Sequence, residues 1–294
     1  MGSKHANWKR LANIAGGILG IAGIAFLVAQ LRRYGAAMDL KGLSSNDWLA
    51  FACLSLLGIC MNACLGLAWR AVLAWNAVRV DARWAIATYA ITHVARYVPG
   101  NIFHYAGRQA VGMAAGLPAR ALARASFMEL AMVASCGALL GLFAAPLVIP
   151  ELDALWWRLT AMILVIVTLG VVFRLGGRRL AEALALYTAY LVMSGLTFLA
   201  FIALRGSFQT FQSQDVVAFG AAYIVAWLIG MLAPGAPAGL GVREAVVLFF
   251  LRGSVDAAIL LFAVLGTRIT SVCADALACA LGLFLRRLPG GAAA

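Results

Sequence analysis

Long apolar runs alternate with short polar joints along this chain. Residues 11–30, 48–72, 121–147, 156–173, 182–204 and 256–285 each approach or exceed the roughly 20 apolar residues that cross a bilayer, which predicts six transmembrane helices. Leu and Ala dominate these runs, and all of them exceed the roughly 10 residues of a barrel strand, so helices are the spanning elements. Two further apolar segments, residues 84–117 and 216–251, are interrupted in the middle, the first by Pro99-Gly100 and the second by Pro234-Gly235. The limb over residues 84–98, at about 15 residues, is short for a span and reads as a half helix that enters, turns and leaves by the same face. Residues 216–233, at about 18, are just long enough to cross. Helix-broken backbone at membrane depth is tolerated only where protein or a wet cavity covers it. Pro99, Gly100, Pro234, Gly235, Gly239 and Gly241 are therefore candidate hinge residues, and the two breaks mark a candidate functional centre.

The two segments share a spacing, because Arg108 follows Pro99 by nine residues and Arg243 follows Pro234 by nine. The element order also repeats: two spans, a broken hairpin and one span over residues 1–150, then the same over residues 151–294. Three spans per half is an odd number, so the second half is expected upside down relative to the first. The predicted fold class is thus an all-α polytopic membrane protein, with about six full transmembrane helices and two Pro/Gly-broken re-entrant hairpins in an inverted repeat. Inverted halves broken at matching positions are the pattern of alternating-access transporters, with the substrate at the repeat interface.

Composition agrees with the class. The chain has 294 residues, of which 64% are hydrophobic and 12% charged, and its mean hydropathy is +0.96, outside the range of soluble domains. The net charge of +12 sits mostly beside apolar runs, where the positive-inside rule explains it better than nucleic-acid binding does. Lys4, Lys9 and Arg10, then Arg70, Arg79 and Arg83, then Arg174, Arg178 and Arg179, then Arg286 and Arg287 mark cytoplasmic joints and put both termini in the cytoplasm. The run after Arg10 reads as a signal anchor that stays in the membrane. Arg32, Arg33 and Lys41 run against this topology, since their joint is assigned to the outside. The six cysteines fall inside apolar runs and read as packed free thiols, so neither a disulfide scaffold nor a metal site is expected.

Charges inside a bilayer pair with one another or line a cavity. Arg108 and Arg243 begin new helices after the breaks, where a guanidinium fork and free N–H groups favour a phosphate or carboxylate. The competing reading pairs Arg243 with a carboxylate such as Glu129 and lets Arg108 snorkel to the cytoplasmic face; the residues alone leave both open. Glu244, Arg268 and Asp275 complete the charged set, with Glu129 to Arg268 and Asp275 to Arg243 or Arg108 as the expected couplings. Asn62 is expected to bond across to another helix. His93 and His104 bracket the first break, either as packed histidines or as a proton-coupling pair, and Asn101 and Tyr105 stand beside them. No nucleophile elbow, phosphate loop or HExxH motif is present, so enzymatic activity and cofactors are not expected.

The stretches ARYVPGNIFHYAGR (residues 95–108) and PGAPAGLGVRE (residues 234–244) resemble the lysylphosphatidylglycerol synthase transmembrane family, whose flippase-like domain also occurs as a stand-alone protein. Arg268 is similar to the arginine of that family's last helix, and Glu129 to the acidic position after its first hairpin. The resemblance implies a bacterial inner-membrane protein that moves an anionic lipid, either a phospholipid or a polyprenyl-linked saccharide, between leaflets. It also implies, as an alternative, an accessory subunit working with an envelope glycosyltransferase or lipid-modifying enzyme. Nothing in the chain resembles the family's lysine-attaching domain, and the first turn, Asn-Ile-Phe-His-Tyr, is less glycine-rich than the family pattern.

Overall fold

The computed structural model describes residues 42–98, 102–149, 152, 155–205, 212–233, 239 and 241–287, together with 25, 28–29 and 32–33. Along them run α1 (Ser45–Trp75), α2 (Ala82–His93), a 3-10 turn (Val94–Tyr97), α3 (Phe103–Ala114), α4 (Ala119–Val148), α5 (Leu155–Arg205), α6 (Ser213–Leu232), α7 (Val242–Phe250) and α8 (Ala257–Arg287). No strand forms among the described residues. Five helices, α1, α4, α5, α6 and α8, are long and apolar enough to cross a membrane. The chain is thus an all-α, multi-pass membrane protein. The helix expected over residues 11–30 and the breaks at Pro99, Gly100, Pro234 and Gly235 lie outside the described residues, apart from isolated positions of the former.

Local chemistry sets the helix ends. Ser44 and Asp47 close a capping box at the start of α1, with the Asp47 carboxylate accepting from the Ser44 backbone N–H at 2.7 Å. Asp81 caps α2 by accepting from the backbone N–H groups of Arg83 and Trp84. At 12 residues, α2 rises only about 18 Å, well short of the roughly 30 Å hydrocarbon layer. The 51 residues of α5 would reach about 77 Å if straight. They form two arms instead, because Gly177 adopts φ 52° and ψ −145° between them, a conformation open chiefly to glycine. The helices expected over residues 156–173 and 182–204 are these two arms, and Arg174, Arg178 and Arg179 gather at the elbow. The limb expected over residues 216–233 is the 20-residue α6, long enough to span.

The second arm of α5 lies antiparallel to α1. At one end Arg205 donates to both carboxylate oxygens of Asp47, at 2.8 and 3.0 Å; at the other the Trp75 indole donates at 3.1 Å to the carbonyl of Leu175, on the first arm just before the elbow. A close approach of Gly58 to Ala274 seats α8 beside α1, and Arg286 reaches Thr88 of α2. One end of the bundle thereby collects Arg79, Arg83, Arg120, Arg124, Arg178, Arg179 and Arg286, with Asp81 and Glu182 among them, while the other mixes Asp47, Asp215 and Asp256 with Arg205 and Arg252. Two large apolar clusters fill much of the interior among the described residues, one around Trp69, Tyr187 and Leu191 and one around Phe198, Phe201 and Val247, with a smaller one around Val94, Tyr97 and Val272. The first arm of α5 leaves Leu155, Ile163, Ile166 and Phe173 exposed, as expected of a lipid-facing helix.

Candidate functional site

Each short helix after a break is tied by an ion pair to the long helix that follows it. On α3, Arg108 is 1% exposed and grips Glu129 of α4 with both arms of its fork, at 2.7 and 3.0 Å. The Tyr89 hydroxyl adds a bond to the same carboxylate at 2.9 Å. Aromatic rings of Tyr89, Tyr105 and Trp69 stand 4.3, 4.9 and 5.6 Å from the guanidinium, close enough for cation–π attraction. Arg108 is thus neutralised and walled in, and the competing reading, with Arg108 snorkelling and Arg243 on Glu129, is not the arrangement found. The expected coupling of Glu129 with Arg268 is absent too, since Arg108 occupies both carboxylate oxygens.

On α7 the charges are reversed. Glu244 carries the carboxylate and Arg268 of α8 the guanidinium, Nε to Oε1 at 3.2 Å. Arg268 also donates to the Gly239 carbonyl at 2.8 Å, which anchors the backbone just beyond the second break. Gly239 has φ +72°, and a side chain there would meet the Gly230 backbone at 2.8 Å. Gly241, at φ +77°, opens α7. Both positive φ values belong to turn conformations that favour glycine.

A third network joins the 3-10 turn to α8. Asp275 accepts from Arg96 and from the Tyr97 hydroxyl, both at 2.8 Å, and from the Asn62 amide at 3.4 Å. Asn62 therefore makes the interhelical bond expected of it. Asp275 was expected to face Arg243 or Arg108 and instead takes Arg96. Arg96 interrupts an apolar run two residues ahead of Val98 and the break, and a charge at that place was the signal that could have found it. A second donor of Arg96 lies 2.7 Å from His93 Nε2. A guanidinium has no acceptor, so His93 Nε2 accepts and its proton sits on Nδ1.

Arg243 stands apart from all three networks. It is 8% exposed, its guanidinium lies 5.3 Å from the Trp227 ring, and its Nε has no hydrogen-bond partner among the described residues. No carboxylate pairs with it among them. Two adjoining cavities meet there, because Arg96, His93, Tyr190, Trp227 and Arg243 line both. The larger, about 330 Å³, runs past His104, Tyr105 and Glu129 to the apolar side chains of Leu130, Val133, Met231 and Leu232. The smaller, about 50 Å³, extends between α1, α5, α6 and α8 among hydroxyl side chains, Asn62 and Asp275. His104 packs 3.9 Å from the Tyr105 ring and edge-on to His93 at 5.9 Å.

Of the residues singled out from sequence, Arg243, Asp275, His104, Tyr105 and Glu129 border these cavities, while Arg108, Glu244 and Arg268 serve the pairs beside them. Asn101 lies outside the described residues. Chemically, the seam presents a buried cation without a counter-charge, a second guanidinium shared with Asp275 and a histidine N–H. That arrangement suits an anion. No family model matches the chain, and no curated protein matches it.

Proposed function

We propose that this protein carries an anionic lipid headgroup between the leaflets of a membrane, as a flippase or scramblase, through the seam that Arg96 and Arg243 line. The observation that carries this reading is Arg243, a buried guanidinium with neither carboxylate nor Nε hydrogen bond among the described residues. A charge held this way is costly unless a ligand supplies its counter-ion. The apolar extension of the larger cavity, toward Met231 and Leu232, suits the first carbons of an acyl or prenyl tail.

In this proposal the first hairpin (α2, the 3-10 turn and α3) and the second (α6 and α7) are re-entrant halves of an inverted repeat. Support comes from the matched ion pairs, each linking the helix after a break to the following long helix, with the charges exchanged between halves. The arginine-rich end of the bundle is assigned to the cytoplasm, which makes the bacterial inner membrane the natural setting. The resemblance of PGAPAGLGVRE to the flippase-like family belongs to the same proposal, without any synthase activity.

The test is reconstitution into vesicles with labelled phospholipid in one preparation and labelled polyprenyl phosphate in another. Wild-type protein is expected to speed leaflet exchange of at least one of them, and Arg243→Gln to lower that rate by about tenfold or more, the equivalent of one charge-assisted contact. Equal rates for the two proteins would overturn the mechanism. A second reading, an accessory subunit of an envelope glycan or lipid assembly enzyme, draws on the exposed apolar first arm of α5; it predicts copurification with an enzyme and no exchange activity.

A further inference from the structure

A third cavity lies farther along the groove between α4 and α6. These helices run antiparallel in a register fixed by two close approaches: a methyl group at Gly137 would lie 3.3 Å from Leu228, and one at Gly141 2.5 Å from Val225. One turn back, at Val133 and Leu232, is the apolar end of the larger seam cavity. From Gly137 and Leu228 onward the same groove holds a separate cavity of about 330 Å³, lined by small side chains such as Ala138, Ala145 and Ala221.

Local chemistry sets its walls. Pro146 sits inside α4 and has no N–H, so the Leu142 carbonyl four residues earlier loses its helical partner. The Trp157 indole donates to that carbonyl at 3.0 Å. This bond ties the start of α5 to α4 and makes Trp157 a wall at the end away from the arginine cluster. Phe250 supplies another wall from the end of α7, the helix whose first turn carries Arg243. The two residues are seven positions apart, about 10 Å along the axis.

An apolar cavity of this kind stays dry. One of about 150 Å³ lined by apolar side chains excludes water and takes a molecule the size of benzene, so 330 Å³ corresponds to roughly a dozen carbons. We infer that this cavity is the binding site for one hydrocarbon tail of the lipid whose headgroup occupies the seam. The inference rests on the reading of the seam as an anion site, with the unpartnered Arg243 Nε at one end of the path and this cavity at the other. The tail leaves the seam past Val133 and Leu232, lies over Ala138 and Ala145, and ends between Trp157 and Phe250. Bulk lipid is as apolar as the groove, so hydrophobic transfer contributes nothing to the choice. The headgroup brings the tail to the groove, and packing contacts along the walls hold it there.

The experiment uses the full chain in phosphatidylcholine vesicles. Trace phosphatidic acid or polyprenyl phosphate is added, each with a photoactivatable diazirine about a dozen carbons from the phosphate. Illumination and peptide mapping are expected to place label from at least one of them on residues 137–147 and 221–228. The yield should be about tenfold above that from phosphatidylcholine with the same diazirine tail, and Arg243→Gln should remove the excess. Ala145→Leu, which fills the cavity, should clear label from these segments. Dihexanoyl phosphatidic acid, whose tails are too short to fill the cavity, is expected to stabilise that variant against heat as it does wild type. Equal labelling by charged and zwitterionic probes, labelling that Arg243→Gln leaves unchanged, or label confined to other segments would each overturn the tail site. If dihexanoyl phosphatidic acid still stabilises wild type and not Arg243→Gln, the anion site stands without it. No stabilisation and no label from either anionic probe would overturn both. The wild-type comparison of probes decides the matter even if the variants fail to fold.

Discussion

Arg108 and Arg243 occupy equivalent places in the sequence, nine residues after a Pro-Gly break, and opposite places in the energetics. Arg108 is held at both ends of its fork by Glu129 under three aromatic rings; Arg243 has one indole and open space. Removing one partner from a buried pair leaves an uncompensated charge, which costs about 3–5 kcal/mol. Glu129→Gln is therefore expected to lower the melting temperature sharply, and the double variant Arg108→Gln/Glu129→Gln to recover part of the loss. An unchanged melting temperature in the single variant would show that the pair is not structural. Arg243→Gln is expected to leave stability unchanged or raised, since it removes an unpaired buried cation. The two arginines were visible as candidates in the sequence, but their division of labour was not. It depends on how α3 and α7 are rotated against α4 and α8, which places a carboxylate opposite Arg108 and Arg268 opposite Glu244. Asp275 was likewise legible as a buried carboxylate, and its partner Arg96 was hidden in the approach to the break.

At the scale of elements, two glycines shape the site without touching a ligand. A methyl group at Gly230 of α6 would lie 2.7 Å from Arg243 Cγ and 3.1 Å from its Nε. Gly230→Ala is thus expected to displace the guanidinium and weaken anion binding while changing no charge; titration of wild type and variant with the same lipid checks it, and equal affinity would mean that Arg243 has freedom to move aside. Gly239→Ala combines a backbone conformation unfavourable by about 1–3 kcal/mol with a clash against α6. It should therefore lower both melting temperature and affinity, where Gly230→Ala lowers mainly the latter. Element existence was readable from the apolar runs for α1, α4, α8 and both arms of α5. The elbow at Gly177 was not, because continuous helical hydrogen bonding on either side lets one glycine do what a longer loop would otherwise do. The run that became α2 was readable as too short to cross; α6 turned out two residues longer than the run that foretold it.

For the whole molecule, the arginine-rich end fixes the proposed orientation. A cysteine placed at the elbow by Arg178→Cys is expected to resist a membrane-impermeant maleimide in intact cells and to react once they are permeabilised. One placed at Asp256, before α8, is expected to react in both. The reverse pattern would invert the topology and move the first hairpin to the outer face. The native cysteines at positions 53 and 60 are exposed along α1, within an apolar span where such a reagent does not reach, so an unsubstituted control sets the background. The clips at the two ends of α1 have a mechanical corollary. Sliding the second arm of α5 along α1 by one turn, about 5.4 Å, would break the Asp47–Arg205 fork and pull on the elbow that the Trp75–Leu175 bond holds from the first-arm side. In the proposed transport that pair is the stator, and a ligand of the seam would be admitted and released by the short helices swinging against a fixed column, much as a turnstile turns on its post.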